Sequence, residues 1–306
     1  MYWFGLAVIP IQLYALWIAR RVVRGTSLTV AWWWAVMAVT VWSITALLAG
    51  ESSGLLDHVA YSGVICWLTP AIAILGARRP GIGAWSGFVV LPMVVVLHWP
   101  AVSQLMGGSI DDAFELPVPM VIGVCLVIVM GLGNFFGTRF TLPAMLLAAG
   151  MGLILRTLSQ PDTIRSPDVH RVVPIASILL TFAALLFIRR ARQLLVVDGS
   201  DEDVRVRLNV MWADFQELFG IVWAKRAMDR INQFGQREAW PVRLELTGFE
   251  AKEPNCTISA EAVARIRWVL RRFVDPCWLD ARLRPGADVT KISELKGSEN
   301  HQTDAV

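Results

Sequence analysis

The chain has 306 residues, 55% of them hydrophobic and 17% charged, with a mean hydropathy of +0.53 and a formal net charge of +3. Soluble domains run near 45–50% apolar and about 25% charged, so this composition excludes an ordinary soluble globule. The basic excess is not a patch on a folded domain. Up to Arg192 there are 12 arginines against 7 acidic residues, net +5, and beyond it 16 basic against 18 acidic residues, net −2. A nucleic-acid partner is therefore not expected, and all four lysines lie in the second part.

A helix needs about 20 apolar residues to cross roughly 30 Å of hydrocarbon. Seven intervals pass or nearly pass: Met1–Ala19, Leu28–Ala49, Val59–Ala77, Gly81–Pro100, Pro117–Phe136, Phe140–Leu158 and Val172–Ile188. The sixth has Arg156 reaching back to the interface. The first interval has no basic residue before it and is followed by Arg20-Arg21, the reverse of a cleaved signal peptide.

The loops between these intervals alternate in charge. One set holds Arg20, Arg21, Arg24, Arg78, Arg79, Arg139, Arg189, Arg190 and Arg192 and no acid. The other holds Glu51, Asp57, Asp111, Asp112, Glu115, Asp162 and Asp168, with only Arg156, Arg165 and Arg171. Basic loop residues stay on the cytoplasmic side during insertion, so the pattern predicts an odd number of crossings in a cell membrane, with the N-terminus outside. The expected fold is an all-α polytopic bundle of about seven transmembrane helices over 1–192, a small cytoplasmic α+β domain over 193–285 and a disordered polar tail over 286–306.

Within the spans, Trp3, Trp17, Trp85 and Trp99 suit interfaces. The run Trp32-Trp33-Trp34 points three ways around a helix, as an interfacial anchor or as a wall for stacking a ligand. Pro10, Pro70 and Pro92 are expected to kink their helices, and kinks either fit helices together or line cavities. Gly83/Gly87, Gly133/Gly137 and Ala148/Gly152 are small-xxx-small pairs, predicted as packing faces.

Two polar groups are candidate sites in this part. Asp57-His58, His98 and Asp168-Val169-His170 fall at predicted outer span ends, and imidazole with carboxylate is the combination used for divalent metal, haem or proton transfer. The plain alternative is that these groups face water. Asn134, Thr138 and Arg139, in Gly-Asn-Phe-Phe-Gly-Thr-Arg-Phe, form the second candidate. They read either as an interhelical hydrogen bond with a positive-inside anchor, or as a site for a phosphate-bearing head group.

After an acidic linker at Asp198–Asp203, Val204, Leu208, Met211, Phe215, Leu218 and Val222 recur at helical seam spacing, serving a dimer or the core of the same domain. Gly220 is expected to interrupt or bend this helix, and the apolar pattern resumes through Trp223, Met228, Ile231 and Phe234 to Gly235, as one long bent helix or a helix pair. Val242–Thr247 alternates as a half-buried strand ended by Gly248, with 256–258, 194–197 or a second subunit as partner. Ser259 is placed to cap a helix carrying Val263, Ile266, Leu270, Phe273 and Val274 on one face and Arg265, Arg267, Arg271 and Arg272 elsewhere. Those arginines could lie against anionic lipid or simply be solvated.

Nucleotide-binding loops, kinase signatures and zinc spacings are absent from the sequence, and the seventh interval has no lysine for a retinal Schiff base. The expected cofactor is therefore undefined. The expected partners are the lipid bilayer and a protein bound through the C-terminal domain, or self-association there. The leading functional expectation is a non-enzymatic anchor, sensor or assembly protein. A metal- or haem-handling protein using the outer-face His/Asp set, and a transporter, are the alternatives.

Asn255-Cys256-Thr257 is a glycosylation sequon. Expressed in a glycosylating host, the chain is expected to carry no sugar at residue 255; a mass shift abolished by Asn255→Gln would place the C-terminal part on the outer side.

Overall fold

A computed structural model describes residues 2–49, 54–77, 85–107, 114, 116–160, 169–195, 203–251 and 258–283. The expected tail, 286–306, lies outside the described residues. Each of the seven apolar intervals contains helix: α1 (Tyr2–Val22), α2 (Thr29–Leu48), α3 (Gly54–Leu75), α4 (Leu91–Gly107, entered through a π-helical turn at Ser86–Val90), α5 (Val118–Gly133), α6 (Thr141–Leu158) and α7 (Val169–Leu195). Among the described residues, five helical stretches, at 29–48, 55–75, 87–107, 141–158 and 169–195, are long and apolar enough to cross a bilayer; α5 is apolar but has 16 residues.

The centre of the bundle is α3. Of its apolar stretch 67% is buried, against 22–39% in the other four, and it touches α2, α4, α5, α6 and α7. Its inward residues Leu56, Tyr61, Val64, Ile65 and Leu68 anchor one core with Met151, Ile154, Val173 and Leu180. The outer helices turn large apolar side chains outward, Leu13, Ile44, Val96, Ile122, Val129 and Phe182 among them. A belt of this kind suits hydrocarbon rather than water.

Close helix contacts are made by glycines other than those predicted. A Cβ on Gly131 of α5 would lie 3.0 Å from the Ala71 side chain of α3, and one on Gly63 2.9 Å from the Trp42 ring of α2. Gly87 and Gly152, by contrast, meet nothing within 4 Å among the described residues, and Gly137 lies in the turn after α5 at φ +80°. Of the small-xxx-small pairs, Gly87 and Gly152 are therefore not at close helix contacts, while Ala148 packs on the bundle core and Gly83 lies outside the described residues. That spacing selects a helix face but does not say which face meets a neighbour.

The C-terminal part is organised along α8 (Val204–Arg237), whose middle is broken at Gly220 (φ 76°, ψ 176°). Asp203 caps it by accepting from the Arg205 amide at 2.8 Å. Leu208, Met211, Phe215 and Leu218 of the predicted seam are buried within this same chain, against α9 (Ala260–Leu270), α10 (Pro276–Leu283) and the turn between them. A ladder of rings, Trp212, Phe215, Phe219, Phe273 and Trp223, fills that interface. Ser259 caps α9 as expected.

The strand finds a different partner from those predicted. β1 (Val242–Glu245) turns at Leu246-Thr247 and pairs antiparallel with β2 (Gly248–Ala251), Val242 opposite Ala251. Gly248 takes φ +134°, so it opens the return strand instead of ending the first. Two strands cannot stand alone. Asn232 of α8 donates to the Leu244 carbonyl at 2.8 Å and accepts from its amide at 2.9 Å, pairing that edge as a third strand would.

The loops and helix ends that carry the arginine-rich set meet the C-terminal helices. The Ser27 amide donates to the Phe273 carbonyl at 2.8 Å, and the Asp275 amide to the Gly25 carbonyl at 2.7 Å. Trp223 Nε1 donates to Ile74 at the end of α3 (2.9 Å), and Arg282 Nη2 to Leu194 at the end of α7 (3.4 Å). The finishing ends of α1, α3 and α7 therefore share one face of the bundle, joined by the turn after α5.

Substituting Gly131→Leu is expected to lower the thermal midpoint of the detergent-solubilised chain by pushing α5 off α3, at a cost of about 1–3 kcal/mol for overpacking. Gly152→Leu, into open space, is expected not to lower it.

Candidate functional site

The turn after α5, residues 134–140, is held by its own hydroxyls. Thr138 Oγ1 donates to the Phe135 carbonyl at 2.7 Å and accepts from the Phe140 amide at 3.1 Å, while Thr141 Oγ1 donates to the carbonyls of Phe135 and Thr138. This locked turn presents Asn134, 2% exposed, to the break in α8. Its Nδ2 donates to the Phe219 carbonyl at 2.9 Å, its Oδ1 accepts from the Val222 amide at 3.0 Å, and its own carbonyl accepts from the Ile221 amide at 2.8 Å. The backbone groups that Gly220 takes out of the helical ladder are therefore returned to hydrogen bonds by one residue 85 positions earlier. Gly220 is required twice over. Its φ is left-handed, and a Cβ there would lie 2.3 Å from Asn134 Nδ2.

Arg139 completes the contact, its amide donating to Glu217 Oε2 at 2.7 Å and its guanidinium lying 3.9 Å from Oε1. Of the second predicted site, then, Asn134 bonds into α8, Thr138 shapes the turn and Arg139 pairs with Glu217. Nearby, Arg282 Nε donates to Asp214 Oδ2 at 2.7 Å while its guanidinium lies 3.8 Å from the Trp278 ring centre. Burial raises the pKa of Asp214 and lowers that of Arg282, each against the pull of its partner. Burial likewise raises the Glu217 pKa above its ordinary 4.5, against the attraction of Arg139.

Directly above this junction lies an apolar cavity of about 270 Å³, bounded by α1, α2, α3, α5, α6 and α7 and floored by Glu217, Leu218, Phe135 and Phe140. Its room comes from alanine: Ala15, Ala19, Ala31, Ala35, Ala71, Ala144, Ala183 and Ala184 all line it. Pro70 and Pro143 are in the wall, whereas Pro10 and Pro92 face outward. The three tryptophans divide. Trp32 lines the cavity with Nε1 donating to the Leu16 carbonyl at 2.8 Å, Trp33 is 60% exposed and Trp34 packs on the bundle core. Two polar groups in the wall find no partner among the described residues: both amide atoms of Gln12, a residue only 2% exposed, and Nε1 of Trp67. Gln12 went unnoticed in the sequence, although an amide inside an otherwise apolar interval was the signal for it.

The outer-face set is placed otherwise. His58 and Asp57 are buried at the start of α3, and His58 packs edge-on against Phe114 with centroids 4.9 Å apart. Tyr61 stands 5.1 Å from Phe114 and 6.4 Å from His98, its hydroxyl donating to the Leu97 carbonyl at 2.6 Å. Nδ1 of His98 is 2.8 Å from the Val94 carbonyl of its own helix. Each imidazole thus has an aromatic neighbour, Phe114 for His58 and Tyr61 for His98. His170 is half-buried in the first turn of α7, and Asp168 lies outside the described residues. Among the described residues no group of three or more His, Cys, Asp or Glu side chains is placed to hold a metal.

The arginines of α9 and the turn after it have separate neighbours. Arg265 pairs with Glu238 at 3.2 Å and Arg267 with Asp280; Arg272 lies 5.1 Å from the Trp268 ring centre, and Arg271 is exposed. Comparison of the chain with protein-family models, with curated proteins and with solved structures returns no match.

A carboxyl whose pKa is higher in the folded than in the unfolded chain holds its proton more tightly when folded, so its contribution to stability falls as pH rises from the unfolded value through the raised one. Glu217→Gln is therefore expected to raise the thermal midpoint relative to the parent. The gain should grow from acid toward neutral pH, because Gln still accepts from the Arg139 amide and has no charge to bury. An unchanged difference across that range would contradict the assignment.

Proposed function

We propose that the chain is a seven-span protein of the cell membrane, N-terminus outside, whose cytoplasmic C-terminal unit is a non-enzymatic interaction module held in fixed relation to the bundle. It works as an anchor, sensor or assembly protein. The observation that carries this reading is the clamp of Asn134 on the break in α8. A module tethered only by the acidic linker would take no instruction from the membrane part, whereas three hydrogen bonds at a helix break make the position of α8 depend on where α5 ends. The arginine phase of the loops supports the sidedness, since the same loops and helix ends meet the module. For a partner surface the module offers Trp268, 45% exposed, flanked by Arg272 and by Phe234.

Asn134→Ala leaves the buried Phe219 carbonyl without a side-chain partner, at about 1–3 kcal/mol, and the part-buried Val222 amide without one at a smaller cost. Hydrogen exchange over residues 214–228 is expected to accelerate by tenfold or more while α3 stays protected. A control change at the exposed Phe136 (Phe136→Ala) should leave both unaltered. Photo-cross-linking from position 268 in native membranes is expected to give one discrete adduct with a second protein or a second copy. Unaltered exchange in the Asn134 variant together with no adduct would overturn the reading.

A further inference from the structure

We propose that the alanine-lined cavity above α8 binds a neutral lipid-soluble molecule: an apolar chain bearing one compact oxygen function, a carbonyl or a hydroxyl, held by Gln12 and Trp67. Three observations converge on this class. The wall is almost wholly apolar, and a dry apolar void of only about 150 Å³ already takes benzene, so 270 Å³ has room for a larger hydrocarbon group. The lining disfavours ionic head groups, because it holds no cation and its one carboxyl, Glu217, is already engaged by Arg139, so a further charge there would lack a partner.

The polar atoms in the wall then select the oxygen. Gln12 is buried with neither its amide N–H donors nor its carbonyl engaged, and Trp67 Nε1 is a buried donor without a partner among the described residues. Together they offer two kinds of donor and one acceptor. A carbonyl uses the donors, and a hydroxyl uses both. Trp32 is different. Its Nε1 is already committed to Leu16, so it contributes a ring face only.

The same cavity touches Glu217 and Leu218, the turn of α8 that precedes the Gly220 break. An occupant is therefore positioned to bias the clamp, which deepens the proposed function and rests on it only for that consequence.

The full chain in detergent is to be titrated with three probes: a decyl-substituted benzoquinone, geranylgeraniol, and hexadecane as the hydrocarbon without oxygen. Binding is read by native mass spectrometry and by thermal midpoint. At least one oxygenated probe is expected to bind five- to tenfold more tightly than hexadecane, the amount a hydrogen bond of about 1 kcal/mol supplies. Which probe binds more tightly separates a quinone-like from a prenyl-alcohol-like occupant. Gln12→Leu should remove that preference and leave hexadecane binding unchanged, and Ala35→Phe, which fills the cavity, should abolish binding of all three.

Equal affinity for hexadecane and the oxygenated probes overturns the proposal, as does an Ala35→Phe variant that binds like the parent. The probe comparison on the unaltered chain decides the point even where Gln12→Leu does not fold. Hydrogen exchange over 214–228 with the probe bound separates the two readings: binding without any change there keeps the site and removes its link to α8, while absence of binding leaves the Asn134 test standing.

Discussion

A helix that breaks in its middle strips several backbone groups of their partners, and where the break is buried those groups must be satisfied by something brought from elsewhere. In this chain that something is Asn134. An amide side chain has a donor and an acceptor side by side, the same pair that a neighbouring peptide would present, so one residue can stand in for the missing turn of α8. The requirement runs both ways. Gly220 must lack a side chain so that Asn134 can approach, and the turn after α5 must be rigid enough to hold the amide in place, which the hydroxyls of Thr138 and Thr141 ensure. The other junctions, Trp223 to Ile74, Ser27 to Phe273 and Arg282 to Leu194, are arranged around this seat.

The cavity follows from the same arrangement. Six helices converge with alanines facing one another, and the floor is set by the residues on either side of the clamp, Phe135 and Phe140 from the turn and Leu218 from α8. Room inside the bundle and the attachment of the C-terminal helices are therefore not independent properties. Helices in contact through small residues approach closely where the faces match, as at Gly131 on Ala71, and leave space where short side chains oppose one another without closing. Glu217 belongs to both structures, accepting from Arg139 on one side and bounding the cavity on the other.

The distribution of charge and apolarity was readable from the residues because it obeys rules that need no neighbours. Each of the seven apolar intervals contains a helix, five of them with bounds within about five residues, while α4 runs to Gly107 and α7 to Leu195, since length and composition decide whether a segment can bury its backbone in itself but not where its helix stops. Ser259 and Asp203 cap their helices because capping is local. The bend at Gly220 was legible for the same reason. The strand partner was not: nothing within Val242–Thr247 says whether the chain turns back at once or meets a distant segment, and the outcome depended on Asn232 being available to pair the free edge.

By itself, then, the order of residues determined the helical, apolar class of the fold, where the apolar helices lie and the phase of the arginine-bearing loops, all consequences of desolvating charge and backbone over one segment at a time, but not the last helix, α10. Only the tertiary structure decided that Asn134 reaches across 85 positions to α8, that His58 and His98 meet aromatic rings, and that Gln12 and Trp67 border one cavity. Those relations depend on which helix faces touch. A helix face is set by a period, but its neighbour is set by the packing of every other helix at once.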